Sequence, residues 1–289
     1  MGVIDFLYRG DGSDDDVMTS KRIRIGVQIQ PEHADYTAIR RAVRECEDLG
    51  ADVIFTWDHF FPLSGDPDSK HFECWTMLAA WAESTSRAEI GTLVTCNAYR
   101  NPELLADMAR TVDHISGGRL VLGIGSGWFE RDFTDYGYEF GTAGARLNEL
   151  AEALPRIERR MSLLNPPPVR GIPVLIGGEG EKKTLPMVAR HADIWHAFAD
   201  PDTLARKMKV LNRCCADIGR DPAEIERSVA VNSVELGVHG TPEELGPRLA
   251  GLGVTLFTVG VGGPDFDMGL LRSWLVWRDG YDGGVTLPE

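Results

Sequence analysis

Short apolar runs rich in β-branched residues alternate along this chain with segments whose apolar residues recur at helical spacing. We interpret eight of these runs as strands, over residues 23–29, 52–56, 89–95, 119–124, 173–176, 193–196, 228–236 and 254–259. Strands that alternate with helices build a parallel sheet, and eight such units close most simply into a (β/α)8 TIM barrel. The predicted fold class is therefore α/β, although the alternation alone also fits an open, doubly wound sheet.

Capping signals mark the beginnings of two of the intervening helices. Asn101 stands directly before Pro102, which predicts an N-cap side chain followed by a proline at the first helical position. Thr241 and Glu244 have the spacing of a capping box, in which each side chain accepts a hydrogen bond from the other residue's backbone N–H. Both signals lie between predicted strands, so they support the alternation.

One barrel accounts for most of the chain. Its 289 residues are 43% hydrophobic and 26% charged, and barrels of about 250 residues fold around a single core. We therefore predict one barrel domain over residues 21–289. Residues 1–20 include an acidic, glycine-rich stretch at 10–16 that cannot bury enough apolar surface to fold, so we predict a disordered tail there.

Composition argues against several classes of partner. The formal net charge of −14 would repel a polyanion, so a nucleic acid partner is not expected. No apolar stretch approaches the roughly 20 residues of a membrane span, and no secretory signal pattern opens the chain, so we expect a cytoplasmic protein without a membrane partner. Five cysteines without CxxC spacing indicate neither a disulfide framework nor a metal site.

Two ionisable residues, Asp58 and His59, follow the second predicted strand and Trp57. Active sites of barrels lie where strands end, and a buried charge is costly unless it has a partner or faces a pocket. An imidazole gives or takes a proton near neutral pH, and a neighbouring carboxylate can orient it. The pair therefore predicts an enzyme in which His59 and Asp58 are catalytic, although a histidine with a structural partner also fits.

Glycine-rich turns follow two further predicted strands. Gly125 and Gly127 flank Ser126 after the fourth strand, and Gly177 and Gly178 follow the fifth. The second turn leads into a helix whose first N–H groups lack partners, which makes it a candidate phosphate site. Neither turn has the GxGxxG or Walker spacing, and a turn that only reverses the chain is an equally good interpretation.

Four stretches taken together resemble the luciferase-like monooxygenase superfamily, in its branch of deazaflavin (coenzyme F420) dependent oxidoreductases. They cover residues 91–97, 99–102, 113–119 and 123–130. The resemblance extends over about residues 22–278. It implies a bacterial-luciferase-like (β/α)8 barrel, a flavin or deazaflavin across the carboxyl ends of the strands, hydride chemistry on a small organic substrate, and a homodimer.

The resemblance also assigns roles to single residues. Asp58 and His59 match a pair that lies against the cofactor ring and takes part in proton transfer. Leu93 and Val94 match a non-prolyl cis peptide that forms a bulge behind the ring. The other positions that match cofactor contacts are Thr95 and Asn97, whose polar groups reach the ring, Gly125, Ser126 and Gly127 in the following loop, and Gly177 and Gly178 at the phosphate.

The chain departs from the sugar-phosphate dehydrogenases of this branch at two positions. Leu63 stands where those enzymes have a tryptophan, and Trp128 stands where they have an acidic glutamate. Glucose 6-phosphate is therefore not the expected substrate. Trp57 and Trp128 are instead expected to line an apolar substrate pocket.

Three functions follow from these patterns. The preferred one is an oxidoreductase that transfers a hydride between coenzyme F420 and a small organic substrate. The first alternative is an FMN-dependent luciferase-like monooxygenase that uses reduced flavin and O2, and the second is a non-catalytic flavin-binding protein. The sequence separates the two cofactors poorly, because both have a similar ring and a phosphate.

Overall fold

The computed structural model describes residues 22–198, 200–232 and 240–283. Its strands are β1 (Arg24–Gln30), β2 (Val53–Thr56), β3 (Glu89–Thr92), β4 (Thr95–Cys96), β5 (Leu120–Gly125), β6 (Val174–Gly177), β7 (Ile194–Ala197), β8 (Glu226–Ala230) and β9 (Val254–Gly262). They form one parallel sheet in the order β3-β2-β1-β9-β8-β7-β6-β5-β4, which β3 closes by pairing with β5. Since β3 and β4 are two parts of the third predicted strand, the sheet is an eight-stranded barrel and the predicted fold class is confirmed.

The crossovers between strands carry the helices, as parallel pairing requires. These are α1 (Tyr36–Leu49), α2 (Cys74–Ser84), α3 (Pro102–Ser116), α4 (Glu130–Tyr136), α5 (Ala143–Leu163), α6 (Thr184–His191), α7 (Pro201–Ala216), α8 (Pro242–Ala250) and α9 (Gly269–Gly280). Of the helices in the described ranges, none is both long and apolar enough to cross a membrane.

The structure confirms the two predicted helix caps. The Asn101 side chain accepts a hydrogen bond from the Leu104 N–H, and Thr241 with Glu244 forms the predicted capping box. The seventh predicted strand, 228–236, was placed too late, because β8 begins at Glu226. Its residues 233–236 and the predicted tail 1–20 lie outside the described residues.

Two apolar layers hold the barrel together. A larger core lies between the sheet and the surrounding helices. The barrel interior is filled by Val53, Phe55, Leu93, Val121, Leu175, Ile194 and Leu256. Because both faces of each strand are covered, β2, β5 and β7 are buried along their whole length, which explains why the predicted strands are continuous apolar runs.

Candidate active site

The residues predicted for the site lie at one mouth of the barrel. His59 follows β2, Asn97 follows β4, Ser126 follows β5 and Gly178 follows β6. All of these strands run parallel, so their carboxyl ends meet at the same end of the barrel. This is the end at which barrel enzymes place their chemistry.

His59 is held by a carboxylate that the sequence did not indicate. Its Nδ1 lies 2.6 Å from Oδ2 of Asp132, and its side chain is 12% exposed. A carboxylate accepts hydrogen bonds, so Nδ1 carries the proton of this contact. Within the described residues, Nε2 of His59 makes no hydrogen bond. One ring nitrogen is therefore fixed and the other is open to a ligand.

Asp132 is itself held in place from two other sides. It is fully buried in the first turn of α4, and its Oδ1 accepts from the Phe60 N–H at 3.0 Å. The Tyr99 hydroxyl donates to Oδ2 at 3.0 Å, and burial raises the pKa of that phenol, so it stays a donor. Three donors thus fix the position of the carboxylate behind the imidazole.

Asp58 belongs to a second, closed network. The buried Asp58 carboxylate accepts from both terminal nitrogens of Arg100, from the Thr95 hydroxyl and from the Cys96 N–H. Burial alone would lower the pKa of Arg100, but the charge of Asp58 outweighs it, and the pKa lies above its usual value. The carboxylate that contacts His59 is therefore Asp132 and not Asp58, which corrects the expected pairing.

The two polar residues expected from β4 differ in what they offer. Thr95 is fully buried, and its hydroxyl donates to Asp58 and accepts from Trp75 Nε1 at 3.0 Å. Its polar group therefore supports the Asp58 network. Asn97 is also buried, yet its Oδ1 has no hydrogen-bond partner in the described part of the chain. A buried acceptor without a partner is a candidate contact for a donor on a ligand.

The third barrel strand is interrupted by a cis peptide bond between Leu93 and Val94, as the resemblance implied. The carbonyl of Leu93 accepts a hydrogen bond from Gln28 Nε2 at 2.6 Å. A Cβ at Gly125 would lie 2.8 Å from Cγ2 of Val94, and one at Gly177 would lie 3.2 Å from Cγ1. These two glycines therefore leave room for the Val94 side chain, which is a structural reason for their presence.

The rest of the loop after β5 packs against the protein. Gly127 has a φ of +78°, and a Cβ there would lie 2.5 Å from the Cys96 sulfur and 2.8 Å from Phe133. Ser126 is half-buried before it. Of the predicted loop residues, Ser126 is thus the one that presents a side chain.

The candidate phosphate turn is longer than expected, since α6 begins only at Thr184. Gly178 has a φ of +119°, and no side chain caps the start of α6. A Cβ at Gly180 would lie 2.8 Å from the Thr184 hydroxyl oxygen, so this turn closes over that hydroxyl. Lys183 donates to the Gly144 carbonyl at 3.0 Å and to Asn148 at 2.6 Å. Free backbone donors, a hydroxyl and a nearby ammonium fit a phosphate.

Aromatic rings surround His59. Trp57, Trp128 and Phe129 have ring centroids 5.9, 5.7 and 5.7 Å from the imidazole. Trp57 donates from Nε1 to Nε2 of His71 at 3.0 Å, so His71 accepts in its neutral form. Burial, together with the charge of His59, lowers the pKa of His71 to about 4. Both predicted pocket tryptophans thus adjoin the histidine.

The residues that sequence reasoning missed are Asp132, Tyr99 and Arg100. An acidic residue in the first turn of a helix is ordinary, because it favours the helix dipole, so Asp132 carried no separate signal. Its contact with His59 spans 73 positions in the chain. Only the closure of the barrel brings the two together.

Two further features bear on the type of site. In the described ranges, no group of three or more His, Cys, Asp or Glu side chains is placed to hold a metal ion. A cavity of about 650 Å³ lies away from His59, between α5 and α6, where Leu154, Ile157 and His191 contribute to its lining.

Comparison with known proteins gives a consistent assignment. The family model for luciferase-like monooxygenases matches residues 17–245. An uncharacterised protein of Mycobacterium tuberculosis (strain ATCC 25618 / H37Rv) is 31% identical over 214 residues, which are 67% of this chain and 73% of that protein.

Two solved structures share the fold at low sequence identity. An F420-dependent secondary alcohol dehydrogenase in complex with an F420-acetone adduct has a TM-score of 0.75 at 17% identity, over 88% of this chain and 98% of its own. Monooxygenase RslO1 from Streptomyces bottropensis has a TM-score of 0.67 at 17% identity, over 89% and 98%. At such identities the likeness shows a common fold alone.

Proposed function

Since the chain belongs to the luciferase-like monooxygenase family, we propose that it is an oxidoreductase that transfers a hydride between coenzyme F420 and a small organic carbonyl compound or the corresponding alcohol. The observation that supports this most strongly is His59, which is fixed through Nδ1 by the buried Asp132 and whose Nε2 makes no hydrogen bond to any described residue. A hydride transfer to a carbonyl also needs a proton, and an imidazole in this state can supply one.

The chain has residues that fit a deazaflavin. Val94 of the interrupted strand lies between Gly125 and Gly177, and the amide oxygen of Asn97 has no partner among the residues that the structure describes. The turn between Gly178 and Thr184 would hold the phosphate. When bound, the deazaflavin supplies or accepts the hydride, while the protein positions the reactants and tunes their protonation.

His59 would hold and move the proton. With Nδ1 committed to Asp132, the ring can exchange a proton only through Nε2. A proton leaves Nε2 for the carbonyl oxygen when the alcohol forms, and it returns when the alcohol is oxidised. Asp132 would stabilise the imidazolium and keep the ring oriented, as a carboxylate does in other carboxylate–histidine pairs.

Asp58 would act as a positioning residue. Its carboxylate ties the end of β2 to Thr95 and Cys96 of β4 and to Arg100. Since Asp58 directly precedes His59 in the chain, this network fixes the backbone from which the imidazole extends. Its effect on turnover would pass through the position of His59.

The test combines cofactor titration with an assay of turnover. We expect F420 to bind more tightly than FMN in a titration of protein fluorescence, and reduced F420 to be consumed with a carbonyl acceptor. Asp132→Asn should lower kcat by about 10- to 100-fold with little change in cofactor affinity, because the imidazolium loses its counter-charge. Asp135→Asn is the matched control, since Asp135 lies on the same helix but is exposed.

Other outcomes would assign another function. Binding of FMN with O2-dependent turnover, without F420 activity, would replace the proposal by the flavin monooxygenase. Tight binding of either cofactor with no turnover across a panel of reductants and acceptors would indicate the non-catalytic flavin-binding protein.

A further inference from the structure

Trp128 differs from the other tryptophans of the chain. Its side chain is 61% exposed, whereas each of the other six is at most 7% exposed. It lies in the loop between β5 and α4, beside His59 and Phe129, with its ring centroid 5.7 Å from the imidazole and 5.5 Å from the phenyl ring. A large apolar side chain is therefore left in solvent beside the group proposed to handle the proton.

The contacts of His59 limit the shape of what can approach its free nitrogen. Trp57, Trp128 and Phe129 meet the imidazole edge to face, at interplanar angles of 81°, 73° and 83°. Trp57 is buried and bonded to His71, but Trp128 presents its ring. A molecule whose reacting oxygen is close to Nε2 would therefore lie against the indole of Trp128. Aromatic and flat apolar groups pack best on such a face.

The cations on this side of the mouth are already occupied. Arg131 donates to the Pro67 carbonyl at 2.7 Å and to Asp68 and Asp135, and it also packs 3.8 Å above the Phe61 ring.

Arg100 and Arg146 are also bonded to protein acceptors. Arg100 bonds Asp58 and Glu73, and Arg146 donates to the carbonyls of Gly127 and Phe140. Neither guanidinium is free to neutralise a phosphate or carboxylate on a substrate.

A free acid lies next to the aromatic face. Glu130 follows Phe129, is exposed, and makes no ion pair with any residue in the described ranges. Its charge would repel an anionic group placed on this face. Charge and shape thus favour the same kind of molecule.

We infer that the substrate is an uncharged, planar apolar carbonyl compound that stacks on Trp128, with its carbonyl oxygen toward His59. This inference rests on the proposed function for the identity of the site, but it concerns binding and can be measured without turnover. In this arrangement Trp128 selects flat apolar substrates by stacking, and the charge of Glu130 repels anionic ones.

The experiment compares two probes that differ in one charge. 2-Acetylnaphthalene is an uncharged planar ketone, and 6-acetyl-2-naphthoic acid adds a carboxylate to the same frame. Dissociation constants are measured by isothermal titration calorimetry on the full chain, with and without F420. We expect the ketone to bind at least tenfold more tightly than the acid. Trp128→Ala should weaken ketone binding about tenfold, and Trp128→Phe should retain most of the affinity.

Tyr136→Ala is the matched control, because Tyr136 is also exposed but stacks on Phe60. It should leave the ketone affinity unchanged. The inference is overturned if the acid binds as tightly as the ketone, if Trp128→Ala and Tyr136→Ala have equal effects, or if the wild-type chain does not bind the ketone. Failure of F420 turnover with a Trp128-dependent preference for the ketone would count against the proposed function and not against this inference.

Discussion

Charged side chains are paired differently at the two ends of the barrel. At the end of the barrel where the strands begin, Arg24 lies 2.9 Å from Glu89 and 3.7 Å from Glu226, and Arg170 also bonds Glu89. These side chains are between 19% and 38% exposed, so water shares in their solvation. At the mouth, Asp132 is fully buried, and its partner His59 has a ring nitrogen that bonds no residue in the described ranges. Charges at the end where the strands begin are paired with one another, whereas at the mouth His59 Nε2 and Asn97 Oδ1 have no hydrogen-bond partner among the described residues.

The same contrast exists within the mouth. Asp58 and His59 are adjacent in the chain, yet within the described residues Asp58 accepts four hydrogen bonds and His59 makes one. Proximity to the opening therefore does not identify the reactive group. His59 differs from Asp58 in having a ring nitrogen that makes no hydrogen bond to any described residue.

The strongest test of this contrast removes the free nitrogen. His59→Ala should lower turnover by about 10² to 10⁴-fold, because the proton donor is lost, with cofactor affinity changed much less. Steady-state kinetics and a cofactor titration measure the two effects. Retention of wild-type turnover by this variant would refute the role assigned to His59.

Removing the buried carboxylate of the closed network should instead affect folding. Asp58→Ala leaves Arg100 buried without its main counter-charge, so we expect the free energy of unfolding to fall by about 3–5 kcal/mol. Urea denaturation measures this change. The double variant Asp58→Ala with Arg100→Met should recover part of the loss, and an unchanged urea midpoint in the single variant would contradict the assignment.

Folding stability should also depend on pH through His196, a fully buried residue of β7. Burial lowers the pKa of His196 to about 3, while its unfolded value is near 6.5. Between these values the unfolded chain binds a proton that the folded chain does not, so the stability present above pH 6.5 is lost as the pH falls. Each pH unit costs about 1.4 kcal/mol for this histidine.

The measurement compares wild type with His196→Gln by urea denaturation from pH 7 to about pH 4.5. The variant should lose less stability over this interval, because its side chain does not titrate. If the free energy of unfolding falls equally with pH in the two proteins, His196 does not cause the pH dependence.

The smallest effect is expected at the end of the barrel where the strands begin. Arg24→Met should change the free energy of unfolding by no more than about 1 kcal/mol and leave turnover unchanged, since partly exposed ion pairs contribute little. Thermal melting and the kinetic assay serve as measurements. A loss of turnover comparable to that of His59→Ala would remove the distinction between the two ends.

The fold was predictable because its signals are local. Alternating apolar runs located seven of the eight strands closely, and the caps at Asn101 and Thr241 located two helices. The last strand but one was misplaced because Glu226 and Arg227 interrupt the apolar pattern, although Arg227 is buried in the structure.

The site was predictable only in part, because its contacts are not local. His59 was found from its place after the second predicted strand, and the interruption of the third strand from a match to a family; the structure has both at the expected positions. The partner of His59 was not found, since Asp132 is distant in the chain and resembles any acid at a helix start. Arg100 was missed for the same reason, because its bond to Asp58 depends on tertiary structure.

Val94, Gly125 and Gly177 form one complementary surface contributed by three strands. The methyl groups of Val94 occupy the volume that side chains at the two glycines would need. Substitutions at these positions should therefore be interdependent. The side chain introduced by Gly125→Ala alone would collide with Val94, whereas the same change together with Val94→Ala would be tolerated better. In natural variants of this barrel, a larger side chain at one of these positions should therefore accompany a smaller side chain at another.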